Sequence, residues 1–214
     1  MAGDADGAAD RRPGTHTTGF EGKRGPSPIP APKPGSQAVS RRRRIVIVAA
    51  LASFPIALLG AGYGVGLRVN LSSSYPLGLW RIQALHRDVR VGDLIFICPP
   101  LTASFDLAFE RGYIRPGLCP GWRSPLIKAV VALPGRKIEI ASSVTIDGHP
   151  LPSSDLQPVD GAVRALTPFA GGIVPAGMLF LHSDYEGSYD SRYFGPIPAS
   201  GVLGLAEPVL TFEP

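Results

Sequence analysis

The chain has 214 residues, 44% of them apolar, which suits one domain of ordinary size once a tail and a membrane segment are set aside. Its formal charge of +4 owes much to Arg41, Arg42, Arg43 and Arg44 beside an apolar run, and no basic-aromatic interleaving follows, so a nucleic-acid binder is excluded in favour of a membrane surface. With 26 Gly, 23 Pro and only two Cys, long regular helices beyond the apolar run and a zinc site built from thiolates alone are excluded, and a β-rich fold is favoured.

Residues 1 to 44 lack apolar periodicity and contain Pro26-Ser-Pro-Ile-Pro-Ala-Pro-Lys-Pro34, which predicts a disordered, locally extended tail acting as a spacer. From Ile45 to Leu67 the chain carries no charge, long enough as a helix to cross about 30 Å of hydrocarbon. A cleaved signal peptide has an apolar core of only about 7 to 15 residues and lies close to the N-terminus, so a retained transmembrane helix is expected. Four arginines precede this helix and Arg68 follows it; the positive-inside bias puts the tail in the cytoplasm and residues 68–214 across the membrane. Gly60, Gly62, Gly64 and Gly66 form small-xxx-small pairs that can support helix association, although glycine is common in membrane helices.

Past residue 68 the apolar segments are short and rich in β-branched or aromatic residues, and turn-formers bound them. Strands are predicted at Leu94 to Ile97, Ile127 to Leu133, Lys137 to Ile140, Val144 to Ile146, Met178 to Leu181 and Val202 to Leu205. Asp147-Gly148 signals a hairpin turn, and nothing longer than a turn or two reads as an amphipathic helix. Cys98 and Cys119 form either a disulfide or two free thiols, and a location outside the cytoplasm favours the bridge.

Three segments could carry chemistry. Asn70-Leu-Ser-Ser-Ser-Tyr-Pro-Leu-Gly-Leu-Trp80 is a hydroxyl cluster, which taken alone is also a plain linker turn. Ser124-Pro-Leu-Ile-Lys-Ala-Val-Val-Ala-Leu-Pro-Gly135 has Lys128 as its only charge; on a strand Leu126 and Val130 share its face. An amine desolvated in this way becomes a base near neutral pH, whereas a lysine at a sheet edge would snorkel to solvent. His182-Ser-Asp-Tyr-Glu-Gly-Ser-Tyr-Asp-Ser-Arg-Tyr-Phe-Gly195 has the residue types of a loop that orients a lysine, and equally those of a solvated surface loop.

Taken in this order, the three segments resemble the signal peptidase I superfamily of Ser-Lys proteases, and most closely its conjugative-transfer, TraF-like branch. The resemblance covers roughly residues 55 to 210. The branch pattern Asn-x-Thr/Ser-x-Ser-x-Pro-x-Gly-Leu-Tyr aligns Ser74 with the nucleophile and leaves Ser72 and Ser73 as competitors. The pattern Lys-Arg-Val-x-Gly-Leu-Pro-Gly-Asp aligns Lys128 with the general base. The Asp-Ser-Arg-Tyr-x-Gly box falls on Asp190, Ser191, Arg192, Tyr193 and Gly195, and Ser188 occupies the place from which relatives hydrogen-bond the lysine. Trp80 stands where tyrosine is usual and Arg136 where aspartate is usual. Cys98-Pro99 and Cys119-Pro120-Gly121 also resemble the branch, which strengthens the disulfide expectation.

The resemblance implies a mainly β, signal-peptidase-like barrel or sheet domain over residues 68–214, behind one transmembrane helix at 45–67 and a disordered tail at 1–44. It implies a serine endopeptidase that needs a neutral Lys128, with the Ser74 backbone N–H and the Ser72 hydroxyl as oxyanion donors. Asp190 and Arg192 are expected to form a supporting ion pair or to hold the Ser188 loop rather than to transfer protons. No cofactor or metal is expected. The partners are a preprotein or prepilin, the lipid bilayer and components of a conjugation or type IV secretion machine; the location is the bacterial inner membrane, with the catalytic domain in the periplasm. A Ser-His-Asp triad is disfavoured because none of the four histidines sits in a nucleophile context. The alternative from another class is a non-catalytic periplasmic scaffold that keeps the three motifs only for its fold.

Overall fold

A computed structural model describes residues 14, 19, 22, 25 and 34–212. The stretch Pro26 to Lys33 and most of the expected disordered tail lie outside the described residues. Contacts divide the chain into two units, Met1–Ala49 and Ala50–Pro214. The second unit carries the outer turns of the apolar helix and all the β structure.

Helix α1 spans Pro34–Gly64. It starts ahead of the expected Ile45 because arginine is a good helix former and Arg41 to Arg44 do not interrupt it, while Pro34 suits a first helical turn. Its stretch Ser40–Gly64, 25 residues, is long and apolar enough to cross a membrane. The helix ends three residues short of Leu67, the last residue expected in it, because Gly66 has a φ of 87° and turns the chain into strand β1, Leu67–Asn70.

β1 pairs antiparallel with β2, Leu77–Gln83. Then follow β3, Leu94–Ile97; helix α2, Ala103–Glu110; β4, Pro116–Cys119; and β5, Leu126–Ala132. A second sheet holds β6, Lys137–Ile140, β7, Val144–Ile146, β8, His149–Pro150, and β9, Gly172–Ile173. The chain returns through β10, Met178–His182, the short helix α3, Ser191–Phe194, β11, Ile197–Pro198, a 3-10 turn at Ala199–Gly201, and β12, Val202–Phe212. The protein is therefore mainly β. It is built as two open sheets, a seven-stranded one in the order β1-β2-β12-β3-β5-β10-β11 and a four-stranded one in the order β8-β7-β6-β9.

The centre of the large sheet is buried on both faces. Ile95 and Ile97 of β3, with Val130 of β5 and Leu179 and Leu181 of β10, pack against Phe105 and Ala108 of α2. Phe96 and Ile127 point the other way, into a cluster with Trp80 and Ala206. Each fully buried side chain of this kind contributes about 1.5–3 kcal/mol. Ala132 and Phe180 extend this packing into the small sheet through Ile138, Val144 and Val174.

Both departures from the branch pattern have local partners. The Trp80 indole is buried and donates to the Pro76 carbonyl at 3.0 Å, across the turn that carries the serines. Arg136 donates to Asp147 at 2.9 Å, and Asp147 also accepts from the Lys137 backbone at 2.8 Å. The Asp147-Gly148 turn is the expected hairpin: both residues have positive φ, 50° and 79°, and they join β7 to β8.

Candidate active site

Ser74 lies in the turn between β1 and β2, and Asn70 organises that turn. The Asn70 amide donates at 3.0 Å to the carbonyls of Ser72, Tyr75 and Pro76, and its oxygen accepts from the Ser72 backbone and hydroxyl. Gly78, with a φ of 129°, closes the turn from the other side; a Cβ there would lie 2.2 Å from the Leu210 carbonyl of β12. The Pro-x-Gly spacing after Ser74 is thus a packing requirement as well as a sequence motif.

Lys128 is central in β5, paired with Ile95 of β3, and is 3% exposed. Desolvation lowers its amine pKa to about 8; the Asp190 carboxylate opposes that shift and the Arg192 guanidinium assists it. Lys128 Nζ donates to Ser188 Oγ at 2.7 Å, and Ser74 Oγ lies 3.4 Å from the same oxygen. One hydroxyl therefore joins the serine and the lysine from elements 60 and 114 positions away in sequence.

Ser188 is held by a buried ion pair. Asp190 and Arg192 are both fully buried, and the guanidinium grips the carboxylate through two bonds of 2.9 Å, Nε to Oδ1 and Nη2 to Oδ2. Arg192 also donates to the carbonyls of Asp155 at 2.8 Å and Ser188 at 3.2 Å, so it fixes the loop that presents the Ser188 hydroxyl. Burial raises the Asp190 pKa, but contacts with His182 and Arg192 and the charges of Lys128 and Arg192 outweigh it, and the carboxyl is held below its ordinary value. The geometry is that of support: Arg192 reaches the Ser188 carbonyl, Asp190 is joined to Ser188 only through Arg192, and neither has a hydrogen bond to Ser74.

The Ser72 hydroxyl donates to Asn70 Oδ1 at 2.9 Å. Cys98 and Cys119 form a disulfide that ties the end of β3 to the end of β4. Ser74, Lys128 and Ser188 open into a cavity of about 920 Å³ whose other walls include Tyr113, Arg115 and Gln157. Among the described residues no cluster of His, Cys, Asp or Glu has metal-holding geometry.

Sequence reasoning passed over three contributors. Asn70 entered only as part of a motif, yet it makes five hydrogen bonds around the serine turn. Ser183 donates its hydroxyl to the Ser74 carbonyl at 2.7 Å. His182, noted only as bordering the third segment, is buried beside Asp190. The position of Asn70 at the head of the serine motif was the one available signal; the other two roles arise from contacts over more than 100 residues or through a side-chain cluster.

A buried, pKa-lowered lysine is joined through one serine to a second serine on a β scaffold, and residues 39–211 match the family described as signal peptidase, peptidase S26. The chain belongs to that family and is a peptidase of the signal-peptidase type. It is 60% identical over 149 residues to the conjugal transfer protein TraF of Agrobacterium fabrum strain C58, covering 70% of this chain and 85% of that one. It is 52% identical over 182 residues to the probable conjugal transfer protein TraF of Sinorhizobium fredii strain NBRC 101917 / NGR234, covering 83% and 97%. A plasmid transfer protein TraF of Escherichia coli is 34% identical over 180 residues, covering 81% and 100%. A solved signal peptidase I from Enterococcus faecalis V583 matches at 21% identity and a TM-score of 0.35, over 56% of this chain and 97% of that one. Family membership and the one long apolar helix found among the described residues together fit a single-pass membrane protein.

Proposed function

We propose that the chain is a membrane-bound serine endopeptidase in which Ser74 is the nucleophile and Lys128 the general base, and that it cleaves leader peptides from a pilin or another protein of conjugative transfer or secretion. The observation that carries this reading is the lysine: buried, with its pKa lowered to about 8, and one hydroxyl away from Ser74. The conjugal-transfer relatives support the substrate class. Neutral Lys128 takes the Ser74 proton as Oγ attacks the scissile carbonyl, with Ser188 keeping the amine in line. The Ser74 N–H holds the oxyanion, together with the Ser72 hydroxyl once substrate has drawn it from its bond to Asn70 Oδ1. Lys128 then protonates the leaving amine; in deacylation it takes a proton from a water whose oxygen attacks the acyl carbon, and returns that proton to Ser74 Oγ as the acyl group leaves. The four arginines of α1 support a cytoplasmic tail and a periplasmic catalytic domain.

The test is cleavage of a preprotein or pilin precursor in detergent by the wild type, Ser74→Ala and Lys128→Ala. Loss of processing in both variants is expected. Undiminished processing by either variant would overturn the dyad, and no processing by the wild type would favour a scaffold.

A further inference from the structure

One buried titratable side chain beside the Ser74–Lys128 pair has no part in the proton transfers proposed above. His182 ends β10 opposite Ala129, the neighbour of Lys128, and its imidazole is 2% exposed. Its backbone carbonyl accepts from the Tyr75 hydroxyl at 3.4 Å, which ties it to the turn that carries Ser74. Nδ1 lies 3.3 Å from Oδ2 of the fully buried Asp190, and Nε2 lies 3.7 Å from Oδ1 of Asp184, whose side chain is 89% exposed. Neither ring nitrogen has an aligned hydrogen bond.

Buried polar atoms are paired as a rule, and hydrogen bonds in an empty active site are often long or poorly aligned until the groove is filled. Oδ2 already accepts from Ser183 N at 3.2 Å and Arg192 Nη2 at 2.9 Å, so the imidazole approaches the same oxygen from a further direction. Asp190 is also the carboxylate whose charge favours the ammonium form of Lys128. Whatever drains that charge raises the fraction of neutral amine.

We propose that His182 is a positioning residue: it donates from Nδ1 to Asp190 Oδ2 and, by drawing off part of the carboxylate's field, keeps Lys128 in its proton-accepting form. The inference rests on the Ser74–Lys128 reading. The charged and titratable groups facing this site are Asp184 and Asp190 on the loop after β10, Arg192 on α3, Lys128 on β5 and Tyr75 on the turn after β1.

The experiment measures kcat/KM for precursor cleavage by the full chain in detergent, over about two pH units either side of 8. His182→Leu should move the acid limb upward by about one pH unit and lower activity at neutral pH about tenfold, with recovery above the limb. His182→Asn places an amide donor at the Nδ1 position and should restore the wild-type limb, whereas His182→Gln places it at the Nε2 position and should leave the limb displaced. An unmoved limb in His182→Leu overturns the proposal. If that variant does not fold, as its melting temperature reports, the Asn and Gln variants decide, and identical limbs for these two overturn it. Ser74→Ala and Lys128→Ala run alongside: cleavage surviving in them defeats the dyad reading, while inactive dyad variants with an unmoved limb defeat the role of His182 alone.

Discussion

Lys128 is costly to bury, and the proposed chemistry depends on that cost. Its pKa in the folded chain, about 8, lies below the value of 10.5 that an exposed lysine has. Between those values the unfolded chain holds a proton that the folded one has released, so this group makes stability rise with pH across that window. Below pH 8 both states are protonated and the burial penalty is present in full. Lys128→Met should therefore unfold at a higher temperature than the wild type near neutral pH, and the gap should narrow as pH rises through the window; melting curves across it give the answer. Ser72 makes a different prediction. As an oxyanion donor it would be worth on the order of 100-fold to 1000-fold in turnover. Ser72→Ala should thus keep its melting temperature and lose most of kcat, and wild-type kcat in that variant removes Ser72 from the site. These residues stood out in the sequence because the chemistry proposed for them calls for particular residue types in short motifs. Ser183, which grips the Ser74 carbonyl from 109 positions away, was not, because one serine in a polar loop reads as solvated until the fold brings the two segments together.

Among the elements, the short β-branched runs were legible and the segments shaped by neighbours were not. β12 was expected over Val202 to Leu205 and runs to Phe212. Pro208 hides that extension, since proline is poor in a central strand; it is tolerated because β3 pairs only with Val202 to Leu205, leaving β12 beyond that point paired on one side, to β2. β2 lay inside the serine motif and read as a turn. Helix α2, eight residues long, is too short for helical periodicity to stand out, and it is fixed by burial of Phe105 and Ala108. The Cys98–Cys119 bridge spans α2 and closes a loop with a sequence separation of 21, for which chain entropy predicts about 3 kcal/mol of stabilisation. Pro116 to Leu118 of β4, with the preceding Arg115, also wall the cavity. Replacing both cysteines with serine should lower denaturant stability by about that amount and raise KM more than it lowers kcat. An unchanged KM would show that the wall stands without the bridge.

For the whole molecule, the sequence conveyed that a long apolar helix precedes a mainly β region. It did not convey where the helix begins, because the arginines that mark a membrane boundary are also compatible with helix. The proposed orientation predicts a labelling pattern in intact cells. A cysteine at Val163, which is 81% exposed on the β domain, should react with a membrane-impermeant maleimide, while one at Ser27 in the tail should react only after lysis. The reverse pattern would invert the topology.

The strand order carries a consequence for the timing of activity. β1 and β2, which flank Ser74, reach the Lys128 strand only through β12 and β3. During synthesis the serine and the lysine both emerge long before residues 202–212, and until those residues insert between β2 and β3 no sheet joins the two halves of the site. A chain without residues 202–212 would then lack the strand that joins the two halves of the proposed site. The last strand to be made would be the one that completes it.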